Sequence, residues 1–273
     1  MTGRQKSVNG LSRLLVSAVL CALATAGCGS GVSTAGDMRD SRHLLRSDES
    51  RGEMFFRAIR QGKRHEVMRL LDEGVDVNMT DAASRTPLMV AVMGGDTDII
   101  NALLNSGANV SMTQRDGATA LFLAAGRGDE ETCLILIEAG GDVNARNLLR
   151  MTPLMMATMD GSDGVIRILV ENGADVNGCT DEGVNALMIA AMDGRSELAE
   201  ILIALGTDVN AVSAVGETAL MMAAQRGQRN AVEVLLARGA DWKKTAANGM
   251  TAKVMAERAG FAEVAQLIPG SGP

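Results

Sequence analysis

The chain is nearly devoid of aromatic side chains, with four Phe, one Trp and no Tyr in 273 residues. Binders of single-stranded nucleic acid stack bases on aromatic rings, so that mode of recognition is excluded. Histidine is equally scarce: His43 and His65 are the two, and neither lies in the five full repeats described below. No imidazole is therefore placed to activate a nucleophile. No phosphate-binding glycine loop and no His/Cys spacing for a metal is present. Basic residues are outnumbered, 26 against 33, for a net charge of −7. An acidic chain is a poor binder of polyanions, which removes nucleic acid from the partners to be considered.

Long apolar runs are confined to the N-terminus. Arg4, Lys6 and Arg13 precede LLVSAVLCALATAG at 14 to 27, a run too short to span a bilayer and shaped like a secretory signal. Two cleavage readings stand. Ala24-Thr25-Ala26 fits a small-residue site, whereas Thr25-Ala26-Gly27-Cys28 resembles a bacterial lipobox in which Cys28 takes the lipid. Thr25 departs from the leucine usual there, but the position of Cys28 at the end of the apolar run, before a GSGVSTAGD tether, favours the second. Removal of residues 1–27 takes three basic and no acidic residues, leaving a net charge of −10. The expectation is a protein of the bacterial cell envelope, held at a membrane by a lipid on Cys28 without spanning it, and otherwise periplasmic or secreted.

What is abundant is repetition. In steps of 33 the chain reads TPLMVAVMGG at 86, TALFLAAGRG at 119, TPLMMATMDG at 152, NALMIAAMDG at 185, TALMMAAQRG at 218 and a decayed TAKVMAERAG at 251. A second element, GVDVN at 74 through GADWK at 239, keeps the same step. A fixed period of this size means a stacked array. Thr86-Pro87 and Thr152-Pro153 read as a helix N-cap followed by proline at the first helical position. Glycines at 95, 128, 161, 194, 227 and 260 read as left-handed helix ends, so most of the 31 glycines belong to turns rather than to nucleotide loops. A second short helix follows, as in ELAEILIAL at 197–205, and the Asp and Asn after it are suited to shaping a turn. Helices this short are unstable alone and must lean on neighbouring copies. The stacking positions Ile99, Thr132, Val165, Leu198 and Ala231 become Glu66 in the first, divergent copy, and the leucine of the first helix becomes Lys253 in the last, which reads as polar caps at both ends.

The unit T-P-L-x-x-A-A-x-x-G, then V/I-x-x-L-L/I-x-x-G-A-D-V-N, resembles the ankyrin repeat over about 52 to 268. The resemblance implies an all-α solenoid of L-shaped units, each a β-hairpin finger plus two antiparallel helices, with fingers and first helices forming a concave groove. The expected organisation is signal peptide 1–27, flexible tether 28–51, N-terminal cap 52–79, full repeats at 80–112, 113–145, 146–178, 179–211 and 212–244, C-terminal cap 245–268 and a tail to 273. One departure is general: the family's histidine after T-P-L is replaced by Met89, Phe122, Met155, Met188, Met221 and Val254. Its hydrogen bonds are therefore absent and apolar packing must carry more of the stability.

Those methionines read as core, since a thioether fills an irregular gap well. Met93, Met159 and Met192 lie one turn later, where the resemblance implies exposure to the groove. Three readings of that stripe remain open: partly shielded residues with no partner, an adaptable surface for a protein segment, and copper(I) capture by thioethers. At the finger tips LLRM (148–151) and VSAV (212–215) are apolar, as interaction sites often are. The basic set Arg57, Arg60, Lys63 and Arg64 reads as a solvated face of the cap. Cys133 reads as a buried thiol and Cys179 as a partly exposed one. Lying two repeats and about 20 Å apart at ordinary helix spacing, they are too distant for a disulfide.

The expected function is a monomeric, non-catalytic protein-binding scaffold needing no cofactor. Its contact residues would be Met93, Met159, Met192, Arg226, Leu148, Leu149, Met151, Ala214, Val215 and Glu217. Envelope copper buffering and a partnerless spacer are the alternatives.

Overall fold

The computed structural model describes residues 41–270, and side chains from residue 51 onward. The signal peptide, Cys28 and the tether before Ser41 lie outside the described residues. The segment read as a flexible tether is in fact helical from Ser41, because α1 runs through Ser41–Arg60 without a break. Its leucines, arginines and glutamates are good helix formers, and Gly52 is the one residue in it with a large helix penalty. The residues from Glu49 onward form one compact unit.

Among the described residues all regular structure is helical, in pairs: α1 with α2 (Arg64–Asp72), α3 (Pro87–Gly94) with α4 (Thr97–Asn105), α5 (Ala120–Ala125) with α6 (Glu130–Glu138), α7 (Pro153–Asp160) with α8 (Asp163–Glu171), α9 (Ala186–Met192) with α10 (Ser196–Ala204), α11 (Ala219–Arg226) with α12 (Arg229–Ala237), and α13 (Ala252–Ala259) with α14 (Ala262–Leu267). From α3 onward each first helix packs on the next first helix, and second helices pack on second helices except between α8 and α10, where the approach is slight, giving a solenoid. The hairpin fingers are reduced to their turns. Asp81 N donates to Arg85 O at 3.0 Å and Thr180 N to Val184 O at 3.0 Å, and the sole bridge pairs Cys179 with Asn185.

The first helices start where a hydroxyl or amide oxygen accepts the third helical amide. Thr86 takes Met89 N at 3.2 Å, and Thr119, Thr152, Asn185, Thr218 and Thr251 do the same. The six glycines after these helices all have positive φ, between 66° and 98°, as a left-handed end requires. The core is the seam between helices. Met89, Met155, Met188 and Met221 are each 1% exposed, so the histidine positions are filled by buried thioethers. Ile99, Thr132, Val165, Leu198 and Ala231 are buried on the second helices, whereas at the two ends Glu66 and Lys253 are half-buried and Arg69 on α2 and Glu257 on α13 are exposed.

The asparagines of the loops do more than shape their own turns. The aspartate two residues earlier shapes the turn: Asp76, Asp175 and Asp208 each accept the Asn amide at 2.9 Å. The Asn side chain reaches the next repeat. Asn144 Nδ2 donates to Gly173 O at 2.9 Å while its Oδ1 accepts from Asp175 N at 2.8 Å, and Asn78, Asn177 and Asn210 make the same two-pronged bridge. At the corresponding place between the repeats of 80–112 and 113–145 stands Ser111, too short to reach, and no bridge forms there. Among the described residues no buried side-chain nitrogen or oxygen lacks a partner.

Candidate functional site

The fingers and the last turns of the first helices share one face. Arg85 marks it: at the base of the first full finger, its guanidinium bonds Asp81 Oδ2 at 2.7 Å and approaches Met93 Sδ at 3.9 Å. A finger residue and a residue in the last turn of the first helix thus meet on this face. Burial raises the Asp81 carboxyl, but bonds from Arg85 and from the backbone outweigh this and hold it below the usual carboxylate range.

Met93 is 44% exposed on this face, and Met159 and Met192 are half-buried there. The latter two are fixed by the next repeat. Arg195 Nη2 donates to Met159 O at 2.8 Å and its Nη1 to Asp160 O at 3.0 Å, and Gln228 Nε2 donates to Met192 O at 3.2 Å. Arg195 and Gln228 stand where Asp96 and Asp129 cap their own second helices. In the later repeats this position turns backward and satisfies the carbonyls ending the preceding first helix.

Leu148 is 73% exposed, Leu149 49% and Val215 56%, and Ala214 and Arg226 are also exposed. Met151 is corrected: it is 6% exposed, because the finger turns inward after Arg150 and Asn147 Oδ1 draws in the Met151 amide at 2.9 Å. Glu217, at the position Arg85 holds in the first full finger, is half-buried, and burial pushes its carboxyl up. Ser213 replaces Asp81 beside it, and no cation among the described residues lies within 4 Å.

Finger spacing follows one rule. Wherever glycine holds the left-handed finger position, the next finger docks by a backbone bond: Leu148 N to Asp116 O at 2.7 Å before Gly117, Ala214 N to Glu182 O at 2.8 Å before Gly183, and Ala247 N to Val215 O at 2.9 Å before Gly216. Where Ser84 and Arg150 hold it, at φ 61° and 60°, no such bond forms. A side chain at that place meets the next finger's backbone, as a Cβ on Gly183 would at 3.0 Å from Ala214 N. The fingers around Arg150 and Asp181 are joined by side chains instead, Arg150 Nε to Asp181 Oδ1 at 3.5 Å and Arg146 Nη1 to Cys179 O at 3.2 Å. Sequence reading passed over this parting, although the absence of glycine at 150 signals it.

Among the described residues no three His, Cys, Asp or Glu side chains are grouped to hold a metal ion, and no helix is long and apolar enough to cross a membrane.

A family model described as ankyrin repeats (3 copies) matches residues 55–147, 142–213 and 187–272. The ankyrin repeat domain of human ASB11 is similar in structure, with a TM-score of 0.72 and 25% identity over 80% of this chain and 99% of that one. The ankyrin repeat domain of Bcl-3, described as a unique member of the IkappaB protein family, is similar with a TM-score of 0.68 and 26% identity over 78% of this chain and 97% of that one. No curated protein matches.

Proposed function

The chain belongs to the ankyrin-repeat family, and from that premise we propose that it is a non-catalytic scaffold of the bacterial cell envelope that binds a protein partner in its groove. Repeat domains of this family are in general protein-interaction scaffolds, and a solenoid offers extended surface rather than an enclosed reaction site. The location rests on the N-terminal signal and on Cys28 as lipid carrier, which would place the groove at a membrane surface.

One observation carries the reading: Met159 and Met192 present adaptable side chains to the groove while the next repeat holds their backbone through Arg195 and Gln228. A soft side chain on a fixed backbone suits recognition, because little ordering remains to be done on binding. The contact set becomes Met93, Met159, Met192, Arg226, Leu148, Leu149, Ala214, Val215 and Glu217.

The test is crosslinking in the envelope fraction followed by mass spectrometry, comparing the natural chain with Met159→Arg and Met192→Arg. Loss of one specific crosslinked protein with unchanged thermal unfolding supports the reading. An unchanged crosslinking pattern in both variants overturns it. Fatty-acid labelling of the natural chain but not of Cys28→Ser settles the anchor.

A further inference from the structure

The groove carries a chemical preference, and the inference drawn from it rests on the scaffold reading above. Charge is banded along the array. Residues 80–211 hold seven basic and nineteen acidic residues, whereas 52–79 hold five of each and 212–268 hold seven basic and five acidic. Eight of the nineteen stand on the second helices, whereas the fingers and first-helix ends of the two repeats at 146–211 carry Asp160, Asp181, Glu182 and Asp193, with Arg127 and Arg226 at the same helix-end position in the repeats on either side. The negative field of the groove is therefore centred on those two repeats.

Among the described residues, Asp160 and Asp193 at the ends of α7 and α9, Glu217 at a finger base, and Asp116 and Glu182 at finger tips have no cationic partner within 4 Å. Glu217 is the most telling. In the first full repeat the same wall position is Arg85, neutralised by Asp81. Four repeats later the sign is reversed and the neutraliser is missing, because Ser213 replaces the aspartate. A half-buried carboxyl held above its usual range by burial gains from an incoming cation more than an exposed one would.

The floor and tips alternate with this charge. Met159 and Met192 lie on successive first helices, and the tips run apolar at Leu148 and Leu149, acidic at Asp181 and Glu182, and apolar again at Ala214 and Val215. Successive repeats lie about 10 Å apart at ordinary helix spacing. A helix rises about 10 Å in seven residues, so a helix laid along the row would present one face to every repeat.

We propose that the groove receives a basic amphipathic helix of a partner protein, its apolar stripe on Met159, Met192 and the apolar finger tips and its lysines or arginines toward Asp160, Asp193 and Glu217.

The test uses the full chain and two fluorescein-labelled 18-residue helical peptides with the same leucine stripe, one with a lysine polar face and one with a glutamate polar face, read by fluorescence anisotropy. The lysine peptide is expected to bind and to weaken at least tenfold between low and high salt, and the glutamate peptide to show no binding. Glu217→Gln and Asp193→Asn should each weaken the lysine peptide about two- to fivefold. Glu131→Gln, the same charge change on α6, should leave it unaltered, and thermal unfolding checks that each variant is folded. Equal binding of both peptides, or an equal loss from Glu131→Gln, overturns the proposal. If neither peptide binds while Met159→Arg still abolishes the envelope crosslink, the charge assignment fails and the groove reading stands. If neither peptide binds and the crosslink also survives, both fail.

Discussion

A Cβ on Gly117 would stand 2.9 Å from the amide nitrogen of Leu148, closer than a Cβ approaches a neighbouring backbone atom. Gly117 also has a φ of 83°, where L residues other than glycine are disfavoured by about 1–2 kcal/mol. Gly117→Ala and Gly183→Ala should therefore each lower stability by about 2 kcal/mol, read as a loss of Tm in thermal unfolding. Arg150→Gly should do the reverse, by up to about 1 kcal/mol, and bring Asp181 N into a bond with Leu149 O. The exposed Arg150–Asp181 pair lost in the process contributes little.

The missing bridge at Ser111 makes a second prediction. Ser111→Asn should install the two-pronged contact seen at Asn78, Asn144, Asn177 and Asn210, raising stability by about 0.5–1.5 kcal/mol in a denaturant titration. Asn177→Ala, which removes the bonds to Asp208 N and Gly206 O at an exposed place where water takes them over, should lower it by about 0.5–1.5 kcal/mol. Equal and opposite small effects at exposed residues outside the bridges serve as the baseline.

Glu217 ties stability to pH. Its folded-state pKa is raised by burial, so between the unfolded and folded values the native state binds more protons than the unfolded one. Stability from this group therefore falls as pH rises through the folded value, and the penalty disappears below the ordinary glutamate range. Glu217→Gln should raise Tm at neutral pH and lose that advantage on acidification. Asp81 acts with the opposite sign: its lowered pKa adds stability above the ordinary aspartate range that is lost as pH falls through the folded value. Asp81→Asn should therefore flatten the acid limb of the same Tm profile.

The two cysteines of the repeats should separate cleanly by reactivity. Cys133 is buried, and burial first, then Asp129 and Glu130, push its thiol up to about 12. Thiolate is the reacting form, so Cys133 should resist iodoacetamide at neutral pH until the chain unfolds. Cys179 is exposed and should be alkylated in the native protein. Peptide mapping before and after denaturation assigns each.

The array itself was legible because its signals are local. Thr86 and Met89 are three residues apart, and the glycine ending each first helix acts on its own turn, so spacing alone reveals caps, ends and period. The identity of the core thioethers followed from phase. What escaped sequence reading lies across repeats. The bond from Asn144 to Gly173 spans 29 residues, and the bond from Arg195 to Met159 spans 36, so neither leaves a local pattern. Met151 was misplaced for a similar reason: apolar neighbours Leu148 and Leu149 made the whole tip look exposed, whereas the turn at Arg150 swings the next residue inward. The helical start at Ser41 was hidden by polar composition, which tethers and exposed helices share.

The unbridged junction at Ser111 also bears on mechanics. A chain of modules pulled from its ends transmits the same tension through every joint, and the joint with fewest ties yields first. Pulled from its two ends, this protein would part between its second and third modules and leave the remaining stack intact. One serine in place of asparagine thus sets where a stretched molecule lengthens and how much of the binding face survives the strain.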